Sequence, residues 1–506
     1  MPAHLLAIAL LFAIAAMPCQ AQLNTAPDIE KATKAGFAKA ISEFRDFLQV
    51  PNDGHYPAQI AANIGWATQA FQSRGFKTQL IETPGAPHVY AEKQFVKKGK
   101  TVLFYLQIDG QPVDTSAWDQ ESPYKAALKE GKNGQWQEID WSNFNENFNP
   151  DWRIYARSAS DSKGPAMCFL TALSILEEHK VKPNFNIKVI MDFQEEMGSP
   201  QLAWVVKNNQ ELLKSDMLLI MDGTRHVSNL PTLCFGARGI ATATLKVYGP
   251  RNALHSGQYG NYVPNPVFAL SKLLAGLKDD SGRVTLPGFY DGIVLSEADK
   301  KSLNDIPEDT DAINATLGIA RQEAVGATYQ EAMQYPSLNV RGIRAAWVGK
   351  EVRTVIPEEA IAEIDMRLVP EAPGEKLMDL LKNYIQAQGF HLVEGVPTDE
   401  ERSQYPKLAS LAYKLGSGPF RTDIGTELGE WLSRAHYKLF GEHFVKMRTT
   451  GGSQPIAPFI KTLNVPAVSV RIPNPDNSIH GPNENIRVGN FFEGIETMVG
   501  VLTEKL

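Results

Sequence analysis

The sequence is poor in cysteine and basic clusters and has only one long apolar run, and each shortage excludes a class of protein. Three cysteines in 506 residues cannot form the framework of a disulfide-stapled chain. Cys168 and Cys234, which both lie in apolar runs, are expected to be buried free thiols. A net charge of −7 without Lys/Arg clusters argues against binding nucleic acid through its phosphates. The 43% of hydrophobic residues instead indicates two or three globular domains.

The single apolar run covers residues 5–17 and precedes Cys19-Gln20-Ala21. It is shorter than the ~20 residues that span a bilayer as a helix. The small residues after it match a signal-peptidase cleavage site. We therefore expect residues 1–21 to be a signal peptide and the mature protein to be secreted or periplasmic, with no membrane contact after cleavage.

Between residues 101 and 223 short β-like runs alternate with helical segments. Predicted strands cover residues 101–108, 187–193 and 217–221, and a similar run covers 467–472. This alternation is typical of an α/β fold with a largely parallel sheet and helices on both faces.

Polar side chains follow each of these predicted strands. They are Gln107 and Asp109, Glu195 and Glu196, Asp222, and, further along, His480. Asp161 opens a predicted helix that runs through Glu178. The carboxyl ends of parallel strands meet at one crevice, where so many carboxylates would repel one another without a cation. Asp, Glu and His together predict a zinc-type divalent site.

The middle of the chain differs in its pattern. Residues 241–248 and 359–368 alternate like half-buried strands, and 266–277 and 374–388 are helical, with 390–394 a possible fifth element. These elements predict a small α+β domain inserted into the larger one, and the polar stretch 278–336 is expected to be an irregular elaboration of it. The predicted division is a catalytic domain formed by two stretches of chain, residues 22–240 and 401–506, with a lid or dimerisation domain over 241–400 between them.

Seven short motifs occur in a particular order along the chain. They are RxxxDxKG at 157–164, QEEMGSP at 194–200, LHSGQYG at 254–260, RTVIP at 353–357, MRLVP at 366–370, GGSQPI at 451–456 and HGPNE at 480–484. From about residue 30 to the end, the chain resembles the dinuclear-zinc exopeptidases, the family of carnosinase, glutamate carboxypeptidase and aminoacylase. The carnosinase-like dipeptidase branch fits best.

The resemblance implies a metal-binding and catalytic role for five residues. Asp161 resembles the carboxylate that bridges two Zn²⁺ ions, with Glu196 and His480 completing one site and Asp222 contributing to the other. Glu195 resembles the general base that takes a proton from the metal-activated water.

The resemblance also implies a set of substrate contacts. His255 resembles a lid-domain histidine that reaches the active site of the partner subunit, which implies a homodimer formed through the lid. Thr354, Arg367, Gly452 and Ser453 resemble groups that hold the terminal carboxylate of a small peptide substrate.

One position departs from the family pattern. Relatives carry His-x-Asp after the first strand, where the histidine binds the second metal and the aspartate orients it, whereas this chain has Gln107 and Asp109. An amide oxygen is a weaker zinc ligand than imidazole. Three outcomes remain open: a second ion such as Mn²⁺ held by Asp161, Asp222 and Gln107, a site with one ion, or a site without activity.

The expected function is a metal-dependent exopeptidase that hydrolyses the amide bond of dipeptides or small peptides with a free C-terminal carboxylate. One alternative with the same chemistry is an N-acyl-amino-acid amidohydrolase. The other is a non-catalytic exported peptide-binding protein, if Gln107 abolishes the metal site.

Overall fold

The computed structural model of the protein describes residues 23–144 and 148–506. The predicted signal peptide, residues 1–21, lies outside the described residues. Among those that are described, no helix has both the length and the apolar character needed to cross a membrane.

The described chain forms strands β1 to β21 and helices α1 to α15. The strands are β1 Lys77–Ile81, β2 His88–Lys93, β3 Thr101–Gln107, β4 Ala127–Lys132, β5 Gln135–Glu138, β6 Arg153–Tyr155, β7 Asn186–Asp192, β8 Met217–Ile220, β9 Thr232–Cys234, β10 Gly236–Ala237, β11 Gly239–Tyr248, β12 Leu254–His255, β13 Ser337–Arg344, β14 Val355–Ile356, β15 Glu359–Leu368, β16 His391–Leu392, β17 Leu408–Leu415, β18 Phe420–Arg421, β19 Val445–Met447, β20 Ala467–Arg471 and β21 Asn485–Arg487. The helices are α1 Ala26–Leu48, α2 Pro57–Gln72, α3 Lys163–Glu178, α4 Leu202–Asn208, α5 Gln210–Leu213, α6 Ser256–Tyr259, α7 Pro266–Ala275, α8 Glu297–Asn304, α9 Thr310–Leu317, α10 Tyr329–Ala332, α11 Gly374–Ala387, α12 Asp399–Gln404, α13 Glu427–Phe440, α14 Ala457–Leu463 and α15 Val488–Thr503.

The larger sheet has eight strands in the order β1-β2-β7-β3-β8-β20-β9-β19. Its four central strands, β7, β3, β8 and β20, are parallel to one another, and antiparallel pairs lie towards the edges, such as β1 with β2 and β20 with β9. The predicted α/β class is therefore confirmed, with a mixed sheet whose centre is parallel. The parallel centre brings the carboxyl ends of four strands to the same edge.

Both faces of this sheet are covered by helices. Val102, Phe104 and Leu106 of β3 pack into a core shared with α1, α3, α13 and α15, whereas Leu103 and Tyr105 face a second core with α4 and α14. A central strand buried on both faces must be apolar at every position, because successive side chains point to opposite faces. This explains the continuous apolar run that predicted β3.

The second sheet has five strands in the order β13-β15-β11-β17-β16. β11 and β15 pair antiparallel over ten residues each and bury every second side chain. Their buried residues, with those of α7 and α11, form a separate core. The alternating runs and the two helices are therefore confirmed, and the predicted fifth element is the short strand β16.

The segment 278–336 is more ordered than the sequence indicated. It contains α8, α9 and α10, and Ile306 packs with Cys234, Val445 and Met447 at the edge of the larger sheet. The prediction of an irregular segment is wrong, because short capped helices do not need the long apolar periodicity that reveals a helix in a sequence. The predicted domain boundaries stay a prediction.

Candidate active site

The polar residues after the central strands lie at one edge of the larger sheet. Asp109 follows β3, Glu195 and Glu196 follow β7, and Asp222 follows β8. Because β7, β3 and β8 are parallel neighbours, their carboxyl ends bring these side chains into one cleft.

Three potential metal ligands come together in this cleft. One ligand atom from each of Asp161, Glu196 and His480 lies within 4.8 Å of the others. Nε2 of His480 lies 3.1 Å from Oδ2 of Asp161 and 3.3 Å from Oε2 of Glu196. The two carboxylates are nearly buried, and the imidazole is half-exposed on the solvent side.

Glu484 shapes the loop that presents Asp161. Its fully buried carboxylate accepts hydrogen bonds from the backbone N–H groups of Ser158, Ser160 and Asp161 and from the Arg157 guanidinium at 2.6 Å. The bonds to Oε1 and Oε2 hold the loop against the segment after His480. Asp161 then lies directly before α3, which begins at Lys163.

Asp109 holds the loop that carries the two glutamates. Its two carboxylate oxygens accept hydrogen bonds from the backbone N–H groups of Glu195 and Glu196, each at 3.1 Å. The side chain of Glu196 in turn accepts a 2.7 Å hydrogen bond from Gln111. In the described chain Asp109 therefore fixes the backbone of both glutamates.

Gln107 and Asp222, the other two predicted ligands, also lie near Asp161. The Gln107 amide donates a 3.4 Å hydrogen bond to Oδ1 of Asp161, and its own buried Oε1 has no hydrogen-bond partner among the described residues. Asp222 accepts a 2.9 Å hydrogen bond from Gln454. A buried carbonyl oxygen without a partner is costly, which favours an electron-pair acceptor at this position.

The carboxylates of the cleft destabilise one another. Burial raises the pKa of Glu196 to about 9, with Asp161 adding to the effect. Burial, and then the charges of Asp222 and Asp161, hold the pKa of Glu195 well above its ordinary value. Burial opposes ionisation of Asp161 too, but hydrogen bonds from His480 and Ser162 keep its pKa below the ordinary value.

These observations fit a divalent cation. The donor set of two carboxylates and one imidazole is suited to zinc-type ions, and a positive charge among the carboxylates would remove their repulsion. Gln107 adds a further buried oxygen near Asp161, because its Oε1 has no hydrogen-bond partner among the described residues. The cleft therefore presents the donor set that a divalent cation requires.

The predicted carboxylate-binding residues fall into two groups. Nη1 of Arg367 donates a 3.0 Å hydrogen bond to Oγ of Ser453, and the exposed Gly452 lies next to Ser453 in residues 451–453, the GGS turn. One residue further, Gln454 contacts Asp222. The turn that carries Ser453 is therefore joined to Asp222 through Gln454.

His255 and Thr354 form the other group, on the small sheet of β12 and β14. The N–H of Ser256 donates to the carbonyl oxygen of Thr354, and the exposed His255 side chain accepts from the N–H of Gly257 at 3.1 Å. Among residues 23–144 and 148–506, no hydrogen bond or ion pair joins either side chain to the metal-ligand cluster.

Three residues of the site did not figure in the sequence prediction: Glu484, Gln111 and Gln454. Glu484 and Gln454 lie inside motifs that were recognised, HGPNE and GGSQPI. Their position in those motifs was the available signal. Gln111 had none, because its contact with Glu196 depends on how the loops after β3 and β7 meet.

Comparison with known proteins finds a matching peptidase family and several similar dipeptidases. A model described as peptidase family M20/M25/M40 matches residues 103–504. The Beta-Ala-His dipeptidase of Rattus norvegicus is 26% identical over 434 residues, which cover 84% of this chain and 81% of the relative. The Cys-Gly metallodipeptidase of Schizosaccharomyces pombe is 26% identical over 415 residues, 78% of each chain.

Solved structures share the fold. The M20 family metallo-carboxypeptidase Sso-CP2 from Sulfolobus solfataricus has a TM-score of 0.73 and 27% identity, over 92% of this chain and 98% of that one. Human carnosine dipeptidase 1 has a TM-score of 0.70 and 22% identity, over 94% of this chain and 98% of that one. The second likeness concerns the fold alone.

The predicted secreted or periplasmic location is wrong by the same comparison. The yeast Cys-Gly metallodipeptidases that the chain is similar to are cytosolic enzymes, and nothing in the comparison supports secretion. A short apolar run before a cleavage-like tripeptide was a weak basis for that expectation.

Proposed function

The chain is a metallopeptidase that belongs to peptidase family M20/M25/M40, and we propose that Asp161, Glu196 and His480 hold the ion with which it hydrolyses dipeptides. The observation that carries the proposal is the approach of these three ligand atoms to within 4.8 Å, directly beside Glu195. The relatives support a dipeptide as the substrate, because their names describe dipeptidases.

When bound, a divalent ion polarises the scissile carbonyl and makes a water nucleophilic near neutral pH. Zn²⁺ suits the donor set best, with Mn²⁺ an alternative where an oxygen from Gln107 takes part. Asp222 and Gln107, together with Asp161, are the groups that would hold a second ion.

Glu195 moves the proton. Its carboxylate belongs to the residue directly before the proposed metal ligand Glu196, where it can take a proton from the water and pass it to the leaving amine. Asp109 keeps the Glu195 backbone in place through the 3.1 Å hydrogen bond. A positioned carboxylate of this kind contributes roughly 10²- to 10⁴-fold to the rate.

Arg367 and Ser453 hold the free C-terminal carboxylate of the substrate. A planar guanidinium can form two parallel hydrogen bonds to a carboxylate, and the exposed Gly452 leaves backbone N–H groups of the turn accessible. His255 and Thr354, whose side chains make no hydrogen bond to the cluster among the described residues, take part by way of a homodimer. The support for that role is the resemblance and their exposure.

The experiment compares Glu195→Gln with the wild type on a panel of dipeptides. We expect kcat to fall by about 10²- to 10⁴-fold while the metal content stays unchanged, because only the proton acceptor is removed. Metal content by mass spectrometry and initial rates provide the measurement. Glu211→Gln, on α5 away from the site, is the control.

Unchanged activity in Glu195→Gln would refute the assignment of the base. N-acetyl amino acids in the same panel test the amidohydrolase alternative, which the relatives do not favour. Removal of the metal with a chelator should abolish hydrolysis, and its return should restore it. A metal-free protein that still binds peptides without cleaving them would instead support the non-catalytic alternative.

A further inference from the structure

A cavity of about 490 Å³ lies between the segment 278–336 and the edge of the five-stranded sheet. Its walls are largely apolar and include Val284, Tyr290, Ile313, Leu317, Met333 and Leu338. The volume is within the ~300–1,000 Å³ typical of small-ligand pockets. Leu317 at the rim is 65% exposed, so apolar surface faces water at its mouth.

The cavity adjoins the Arg367 and Ser453 pair. Arg238 lines it and donates from Nε to the carbonyl oxygen of Gly451 at 3.4 Å. A Cβ placed on Gly451 would lie 3.1 Å from Sδ of Met333, another wall residue. Ser337, also on the wall, is the cross-strand partner of Arg367.

Arg238 lines the cavity and Arg367 lies near Arg238, while the wall residue Glu323 is paired with Lys278. Arg238 is only 9% exposed, and burial together with the charge of Arg367 lowers its pKa to about 10. No ion pair within 4 Å links Arg238 or Arg367 to a carboxylate in residues 23–144 and 148–506. The charge of Asp365 offsets part of this effect on Arg238, and an anion between the two guanidinium groups would offset more of it.

The walls are held in place on both sides. Arg448, which precedes the GGS turn, contacts Asp299 at 3.0 Å and Gln334 at 2.8 Å, and His226 contacts Glu308 at 2.9 Å. These bonds tie the segment 278–336 to the residue that follows β19 and to the loop between β8 and β9. The cavity is consequently formed before a ligand arrives, and a preformed pocket binds with a smaller entropic cost.

We propose that this cavity receives the side chain of the substrate's C-terminal residue, while Arg238 joins Arg367 in binding its carboxylate. The enzyme then prefers peptides that end in a bulky apolar residue such as phenylalanine. The inference rests on the proposed function, since it assumes that the scissile carbonyl lies at the Asp161, Glu196 and His480 cluster. Gln454, the residue after Ser453, joins this turn to Asp222 by a 2.9 Å hydrogen bond.

The test compares Ala-Phe with Ala-Gly, which share the amine, the scissile bond and the carboxylate. We expect kcat/KM of the wild type to be about 10- to 200-fold higher for Ala-Phe, the range that an apolar pocket provides. Leu317→Asp, which places a charge at the rim, should lower kcat/KM for Ala-Phe at least tenfold more than for Ala-Gly. Val294→Asp, also exposed in the same segment but outside the cavity, is the matched control.

Arg238→Gln tests the contact with the substrate carboxylate separately from the apolar pocket. It should raise KM for both peptides about tenfold and leave kcat nearly unchanged, because the carboxylate is common to both. An equal kcat/KM for the two peptides in the wild type, or an equal loss in Leu317→Asp, would overturn the pocket assignment. If neither peptide is cleaved, the proposed function fails instead, and equal calorimetric affinity for the two would then refute the cavity on its own.

Discussion

At the scale of single residues, the buried Glu484 shows how one carboxylate can place another. Its oxygens satisfy three backbone N–H groups and the Arg157 guanidinium. Several charge-assisted hydrogen bonds hold a buried carboxylate in one orientation. Asp161 is consequently held in one orientation before any ion binds.

Gln107 is the residue that sets this site apart from the family pattern. It already donates to Asp161, so its amide nitrogen faces the proposed bridging carboxylate and its oxygen is left unpaired among the described residues. Rotation of the amide would offer the oxygen to a cation but would lose that hydrogen bond. This competition weakens the binding of a second ion at the site.

We predict that Gln107→His binds a second divalent ion about 10- to 100-fold more tightly than the wild type, a gain of about 1.4–2.8 kcal/mol. An imidazole nitrogen is a better zinc ligand than an amide oxygen. Calorimetric titration of the metal-free protein with Zn²⁺ measures the second Kd. Gln107→Asn, which keeps the amide, is the control, and an unchanged second Kd in Gln107→His would show that this position is not a ligand.

At the scale of elements, the loop before α3 depends on a glycine. A Cβ on Gly164 would lie 2.2 Å from the carbonyl oxygen of Ala159 and 3.1 Å from Cδ1 of Ile486. The loop can approach the first turn of α3 this closely only because Gly164 has no side chain. The glycine of the RxxxDxKG motif thus lets the loop hold Asp161 close to the start of α3.

We predict that Gly164→Ala destabilises the fold by about 1–3 kcal/mol and reduces activity, because the loop must move away from the helix. Urea unfolding and dipeptide hydrolysis provide the two measurements. Gly65→Ala, in α2 with open space around it, should stabilise the protein by about 0.5–1 kcal/mol. Equal stability of the two variants would contradict the steric argument.

Helix α15 carries a carboxyl group whose ionisation opposes folding. Burial, and then the charges of Glu493 and Glu30, raise the pKa of Glu496 to about 8. The folded chain therefore keeps a proton that the unfolded chain releases above its ordinary pKa of ~4.3. The stability contributed by the neutral form is complete below that value and is lost as the pH rises towards 8.

We predict that Glu496→Gln gains stability over the wild type as the pH rises from 5 to 8, reaching about 2 kcal/mol after allowance for partial exposure. Urea unfolding at pH 5, 6.5 and 8 measures the difference. Glu178→Gln, at an exposed position, should show no such trend. A difference for Glu496→Gln that stays constant with pH would refute the assignment.

At the scale of the whole molecule, the two sheets and the segment 278–336 each supply different residues of the proposed site. The parallel centre of the larger sheet gathers the carboxylates, and β15 of the other sheet supplies Arg367. The segment contacts both, through Arg448 on one side and through the cavity wall on the other. A substrate held between them is bound by elements that are remote in sequence.

The exposed aromatic residues Tyr259, Tyr262 and Phe268 indicate a contact surface on the five-stranded side. Tyr262 is 84% exposed and Phe268 71% exposed. We predict that Tyr262→Ser with Phe268→Ser converts the homodimer that we propose into monomers in light scattering, because large apolar side chains at the surface mark interfaces. The thermal midpoint of the monomer should change little.

Tyr56→Ser, an exposed position outside this surface, should leave the mass unchanged. If His255 acts on the partner subunit, the monomeric variant also loses activity while keeping its metal. A wild type that is already monomeric would remove both the interface and this role of His255.

Much of the architecture could be predicted from local pattern. The apolar run of β3, the alternation of β11 and β15 and the helix that follows Asp161 all have a physical cause within a few residues of chain. The segment 278–336 could not be predicted in this way, since its short helices are stabilised by contacts such as Gln334 with Arg448.

The sequence by itself determined the fold class, the family and the supply of carboxylates, because periodicity and ordered motifs are properties of the chain alone. Only the tertiary structure decided which of them meet: Asp161 with Glu196 and His480, Asp109 with the backbone of Glu195, and Arg238 with the GGS turn. Such contacts join residues from different strand ends, and their distances follow from sheet order and packing, which no local pattern contains.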